Sequence, residues 1–179
     1  MTIETTHLHI RPISLDDTNA FLQWISDYET IKYSLSLFQK INTYDAVKNY
    51  ISSLISDQTS RNFTILTKQN SIPIGYSGLA NISTMNRSAE YFILIGHQNF
   101  WNNGFGTEVG RAIIHYGFIE LELHRIMLTV FEPNIGAIKS YEKLGFQREG
   151  ILRDACYRDT KYHNKILMSI LVEEYNQAI

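Results

Sequence analysis

The sequence predicts a mixed α/β domain, one β-sheet covered by helices, on three observations. The apolar pattern alternates between period two and period 3.6, in the order strand, two helices, three strands, helix, strand, helix, two strands. The early strands are joined by short turns and the late ones through helices, so antiparallel and parallel neighbours must coexist in one sheet. The run Ala89–Ile95 (AEYFILI) is apolar on both faces near its end, as a central, buried strand requires.

Each element has its own signal. Leu8 and Ile10 alternate with His7, His9 and Arg11 in a first strand. Ser14 followed by Asp17 has the spacing of a capping box with Asp in place of Glu. The helix it opens would carry Phe21, Trp24, Ile25 and Tyr28 on one face. Asp27 to Asn42 reads as irregular. A second helix is expected from Thr43, with Val47, Tyr50, Ile51, Leu54 and Ile55 at helical spacing. Strands are expected at Asn62–Thr67 and Ile72–Ile82, around the turn residues Lys68 to Ser71. Beyond Ala89–Ile95, a helix should run from about Gly106 to Leu121 and bury Val109, Ala112, Ile113 and Tyr116. Gly110 and Gly117 interrupt it, each costing roughly 1 kcal/mol against alanine, which implies close approach to the sheet. A strand at Arg125–Phe131, a short helix at Asn134–Leu144 and strands at Phe146–Leu152 and Lys165–Val172 complete the chain. Arg153–His163 is left as the last turn.

Composition narrows the function. The 179 residues, 44% hydrophobic and 19% charged, suit one domain over 1–179 with a core of its own. A net charge of −2 lacks the basic surplus of a nucleic-acid binder. Cys156 is the only cysteine, so no intrachain disulfide forms, as suits a reducing cytoplasm. The N-terminal MTIETTHLHI has no signal-peptide pattern, and no run of about 18 apolar residues suggests a membrane span. The expected state is monomer or homodimer.

Chemistry concentrates in FWNNGFGTEVGRA, residues 100–112, between a buried strand and an amphipathic helix. A helix N-terminus has unpaired N–H groups and partial positive charge, which attract phosphate. Glycines at 104 and 106 let the backbone approach an anion. The third glycine, Gly110, falls one position late for a Rossmann fingerprint, and no Lys-Ser or Lys-Thr follows as in a P-loop. Alone, this segment fits a phosphate grip and a plain turn equally.

Downstream, HRIMLTVFEPNIGAIKSYEKLGFQREGILRD holds the pattern N-x-x-A-x-x-x-Y-x-K-x-G-F at Asn134, Ala137, Tyr141, Lys143, Gly145 and Phe146. With the glycine turn before it, this resembles the GNAT superfamily of N-acetyltransferases. The nearest likeness is to the branch of ribosomal-protein N-terminal and spermidine N-acetyltransferases, and it runs from LHIRPISLDD to the closing strand. The resemblance implies a mixed, mostly antiparallel seven-stranded sheet with helices on both faces and a splayed central parallel pair, Glu90–Ile95 beside Arg125–Phe131. Acetyl-CoA would lie in the splay as co-substrate, with no metal. Its pantetheine would pair with backbone of Ile93, Leu94 and Ile95, and its pyrophosphate would sit on amides of Asn102, Asn103, Gly104, Phe105, Gly106 and Thr107.

By the same resemblance, Asn134 would bond the pantetheine or cap its helix, a role Asn often fills. Tyr141 would be the general acid for the departing thiolate. Glu90 would be the base, a ligand for a cationic substrate, or a salt-bridged strand end. Where the family usually has Gln or Arg and then Gly-Lys before the first glycine, this chain has Trp101, Asn102 and Asn103. Asparagine tolerates unusual backbone angles and keeps side-chain donors. Lys143, Lys139 and Arg111 are candidates for restoring the lost charge, each also readable as solvated surface. The acceptor should meet Tyr28, Tyr33 and Phe38 and the Arg153–His163 turn. It would be an amine, whether a protein N-terminus, a polyamine or a small molecule; neither segment is acidic enough to specify a polyamine. A non-catalytic acyl-CoA sensor is the alternative, which Tyr141 disfavours because binding alone needs no proton donor.

Overall fold

The strands follow the apolar alternation in a computed structural model that describes residues 2–177. They are β1 (Ile3–Glu4), β2 (Leu8–Pro12), β3 (Arg61–Thr67), β4 (Pro73–Ser83), β5 (Ser88–Ile95), β6 (Arg125–Phe131), β7 (Gln147–Arg158) and β8 (Lys161–Leu171). They form one sheet in the order β1-β2-β3-β4-β5-β6-β8-β7. Every neighbouring pair is antiparallel except β5 and β6, which run parallel. The sheet thus has eight strands where seven were expected. The extra one, β1, has two residues, too few to show a period.

Helices cover both faces, as the resemblance implied. On one, α1 (Thr18–Ile25) and α3 (Tyr44–Ser56) bury Phe21, Trp24, Val47 and Ile51 against Tyr76 and Leu94. On the other, α4 (Phe105–His115) and α5 (Ile135–Lys143) bury Val109, Ile113 and Ile138 against Leu79, Tyr91 and Ile126. The division follows from strand geometry, since successive side chains of β5 point to opposite faces. A Cβ on Gly117 would lie 2.7 Å from Ile126 Cδ1, and one on Gly110 would lie 2.4 Å from Leu144 Cδ1, just beyond α5, and 3.2 Å from the Tyr91 hydroxyl on β5, so both glycines meet the sheet. Among the described residues, no helix is long and apolar enough to cross a membrane.

Four local expectations change. Helix α1 ends at Ile25, and Tyr28 opens a separate turn, α2 (Tyr28–Ile31), whose N-cap Asp27 accepts from the Glu29 N–H at 2.9 Å. Asp27–Asn42 therefore contains order: α2 and a 3₁₀ turn at Ser36–Gln39. Beyond His115 the backbone passes into a π-helical turn, Tyr116–Glu120, and Ile114 is buried where Ala112 was expected.

The largest change is at Arg153–His163, which is strand. β7 and β8 extend to Arg158 and Lys161 and turn at Asp159 and Thr160, with φ of 49° and 64°. Two left-handed residues in a two-residue loop match a type I′ hairpin, whose usual Asn-Gly or Asp-Gly signal is missing here. Gln147–Ala155 is exposed at every position, so this edge strand gives no alternation for a sequence reading to find.

Candidate active site

The parallel pair holds together only at its start. Ser88, Ala89 and Glu90 are opposite Arg125, Ile126 and Met127, and beyond them the two strands part. At the far end of β5 the N–H groups of Gly96 and His97 both donate to the Ile74 carbonyl, at 2.8 and 3.1 Å, in a β-bulge. Antiparallel bonding alternates along a strand. A bonded Ile74–Gly96 pair therefore commits the backbone of Leu94 to Tyr76 and that of Phe92 to Gly78. The backbone groups of Tyr91, Ile93 and Ile95 then point toward β6, into the opening. The Ile95 carbonyl is taken by the Trp101 indole N–H at 2.7 Å. Of the three residues expected to pair with pantetheine, Ile93 leaves both backbone groups to the opening, and Leu94 has its own turned away. The opening is a cleft of about 790 Å³.

The glycine turn forms one end of this cleft. Gly104 is the N-cap of α4 in left-handed conformation, φ 81°, and Asn102 is left-handed too, φ 60°. The Gly104 carbonyl accepts from the N–H groups of Thr107 and Glu108, both at 3.0 Å. Among the described residues, the N–H groups of Gly104, Phe105 and Gly106 have no acceptor. A Cβ on Gly104, Gly106 or Gly136 would meet nothing within 4 Å, so these glycines keep a surface open instead of easing contact within the protein. Glu108, the one acid in the first turn, is drawn aside by Thr5 Oγ1 at 2.6 Å and the His7 N–H at 2.8 Å. An anion at this helix start meets open amides and the positive end of the helix dipole. The residues thus fit the pyrophosphate of coenzyme A.

Asn102, Gly104, Phe105, Gly106 and Thr107 line the cleft. Asn103 does not; its side-chain amide donates to the Asn99 carbonyl at 3.3 Å. Lys143 also lies outside the lining. Asn134 caps α5, its Oδ1 accepting from the Ala137 N–H at 3.3 Å, and lines the cleft as well. Thr107 and Ser140 join α4 to α5 through a hydroxyl pair at 2.8 Å.

Tyr141 lies on α5, facing the cleft. Its ring stands edge-on to Tyr91, with centroids 6.1 Å apart. Burial pushes its phenol up to about 12, so it is protonated at neutral pH. Glu90 lies on the α1/α3 side of the sheet, like Phe92 and Leu94, and accepts from Asn81 Nδ2 at 3.1 Å. It reaches the same cleft as Tyr141 because the opening between β5 and β6 joins the two faces.

At the other end, Tyr33 and Phe38 line the cleft, and Tyr28 does not. The Tyr28 hydroxyl donates to Asp159 at the hairpin tip. Beside it Arg158, 3% exposed, donates to the carbonyls of Ser34 at 2.7 Å and Lys32 at 3.4 Å, with its guanidinium over the Phe131 ring. Sequence reasoning missed Lys165, Ser140 and Gly136, and reached Arg158 only as one residue of the Arg153–His163 segment. Gly136, two residues past an Asn cap and outside any turn, carried a usable signal. The others had none, because their roles depend on which strands meet.

The comparisons with known proteins agree with this geometry. The model of the acetyltransferase (GNAT) domain matches residues 7–147. The uncharacterized N-acetyltransferase p20 of Bacillus licheniformis is 31% identical over 175 residues, covering 97% of this chain and 98% of that protein. The spermidine N(1)-acetyltransferase of Escherichia coli (strain K12) is 26% identical over 166 residues, 93% of this chain and 87% of that one. The structure of spermidine N-acetyltransferase from Vibrio cholerae in complex with CoA and spermine superposes with a TM-score of 0.84 at 26% identity, covering 94% of this chain and 98% of that one. The chain belongs to the GNAT acetyltransferase family and is an acetyl-CoA-dependent N-acetyltransferase.

Proposed function

We propose that the protein transfers the acetyl group of acetyl-CoA to a primary amine by direct attack, with Tyr141 serving the departing thiolate. One observation carries this: β5 and β6 part just after Glu90 and Met127, between the open amides of α4 and the phenol of Tyr141. Ile93, Gly104 and Gly106 hold the coenzyme, and Asn134 orients it from the start of α5. The amine nitrogen attacks the thioester carbonyl carbon; the C–N bond forms and the carbonyl electrons move to oxygen. They return as the C–S bond breaks, and the sulfur leaves as thiolate.

Magnitudes define what Tyr141 does. A phenol near 12 faces a thiolate whose conjugate acid lies near 8.5 on a cysteine scale, so full proton transfer is uphill by about 5 kcal/mol. Tyr141 therefore hydrogen-bonds the departing sulfur as C–S cleavage proceeds, and its proton passes to sulfur only in step with one returning to the phenol from the new ammonium. The net proton passes from nitrogen to sulfur. Glu90, or water beside it, takes the proton that the acceptor loses before attack.

The acceptor is an amine of one of three kinds: a protein N-terminus, a polyamine as in the spermidine-acetylating relatives, or a small molecule. The demand for acetyl-CoA and the lone Cys156 support work in the cytoplasm. For Tyr141→Phe we expect kcat to fall by about 10²-fold or more with coenzyme A affinity unchanged, followed by thiol release and calorimetry. Unchanged kcat would remove Tyr141 from the mechanism.

A further inference from the structure

The charged groups lining the cleft are Glu29, Lys32, Asp57, Glu90 and Lys165. Three of them are already engaged. Glu29 and Lys32 form an ion pair at 2.5 Å. The Asp57 carboxylate closes its own turn, accepting from the Thr59 N–H at 2.8 Å and hydroxyl at 2.7 Å. That leaves one acid and one base. Glu90 has only the neutral Asn81 amide, and Lys165, half-buried, has no hydrogen-bond or ion-pair partner among the described residues.

Lys165 is directly opposite Phe131 in the β6–β8 ladder, so both project from the same face, where the Phe131 ring meets Tyr33 at 5.9 Å. Behind that ring lies Arg158, whose guanidinium is buried against two carbonyls without a carboxylate of its own. The neighbouring Asp159 carboxylate accepts from Tyr28. The Tyr33–Phe131 wall is therefore electropositive, while the strand fork carries the acid.

Resting on the acetyl-transfer reading above, we propose that the acceptor is an amine that also carries a carboxylate: its ammonium is drawn to Glu90 and its carboxylate to Lys165. A polyamine would need a second unengaged acid where Lys165 stands. Placing an ammonium there puts like charges together in a partly dehydrated cleft, where screening is weak.

The test is a steady-state panel of α- and ω-amino acids, each beside its own carboxamide, together with spermidine. Wild type should favour at least one amino acid over its amide by about tenfold or more in kcat/KM, the scale of a charge-assisted contact. Lys165→Met should bring that ratio near one, Lys165→Arg should keep it, and Lys165→Glu should turn preference toward spermidine. Coenzyme A titration calorimetry on each variant shows that the fold and the other end of the cleft persist. Wild type preferring amides or spermidine, or a ratio unmoved by Lys165→Met, overturns the proposal while acetyl transfer stands. Absence of thiol release with every acceptor tried, despite coenzyme binding, overturns both.

Discussion

At the α4 end the cleft presents backbone: the N–H groups of Gly104, Phe105 and Gly106 and the exposed edge of β5 at Ile93. At the Tyr33 end it presents side chains held in place across long sequence distances, with Arg158 reaching back 124 residues to Ser34. A backbone site needs only the local conformation that glycine and asparagine permit, so it tolerates the replacement of family-typical residues by Trp101-Asn102-Asn103. A side-chain site changes character with single substitutions. This asymmetry suits a coenzyme held by backbone at one end and an acceptor read by side chains at the other.

The sharpest way to break the comparison is Gly106→Asp. An acid in the first turn of a helix is favourable by a few tenths of a kcal/mol to about 1 kcal/mol, and a Cβ at this position meets nothing. The melting temperature should hold or rise slightly. Coenzyme A binding should weaken by about a hundredfold or more, because the carboxylate occupies the anion site. If affinity survives in a calorimetric titration, the phosphate is not on this turn.

Arg158→Met tests the opposite end. Loss of hydrogen bonds from a charged donor costs about 1.5–3 kcal/mol, so the melting temperature should drop by several degrees. The acceptor KM should rise by about tenfold as the Lys32–Ser34 segment loosens, with coenzyme A affinity little changed. Equal damage to both ligands would show that the two ends are not separable.

The smallest effect is expected from acid. Hydrogen bonds from Arg125 and Ser169 hold Glu149 down at about 2, tying β7 to β6 and β8. A carboxylate depressed in the folded state adds stability that is present above its unfolded pKa, here about 4.5, and is lost as pH falls toward 2. Glu149→Gln should flatten that part of a denaturation-versus-pH curve and leave coenzyme A binding at neutral pH untouched.

Legibility followed the same asymmetry. The Gly104–Gly106 turn, the Asn134 cap and the position of Tyr141 were readable because each depends on neighbours within one turn of helix. Tyr28 was misplaced because the sequence shows no stop between α1 and α2, and helical spacing carried it onto a face it does not share. Lys143 lies away from the cleft although it belongs to the motif, since Tyr141, two residues earlier, takes the opposite side of the same helix. The hairpin of β7 and β8 was invisible at its tip because Asp159 and Thr160 hold left-handed conformations with no glycine to announce them.

By itself, then, the sequence determined the mixed sheet and the glycine turn that starts α4, while the splayed pair came from its resemblance to a known family. Periodicity, caps and glycines express local backbone energetics, which act wherever the chain ends up. Only the tertiary structure decided that Leu94 turns its backbone from the opening while Ile93 does not, that Glu90 and Tyr141 share one cleft from opposite faces, and that Arg158 and Lys165 flank Phe131 at the Tyr33 end. Those depend on strand register and on contacts between distant segments, which are fixed when hydrophobic burial brings the sheet together.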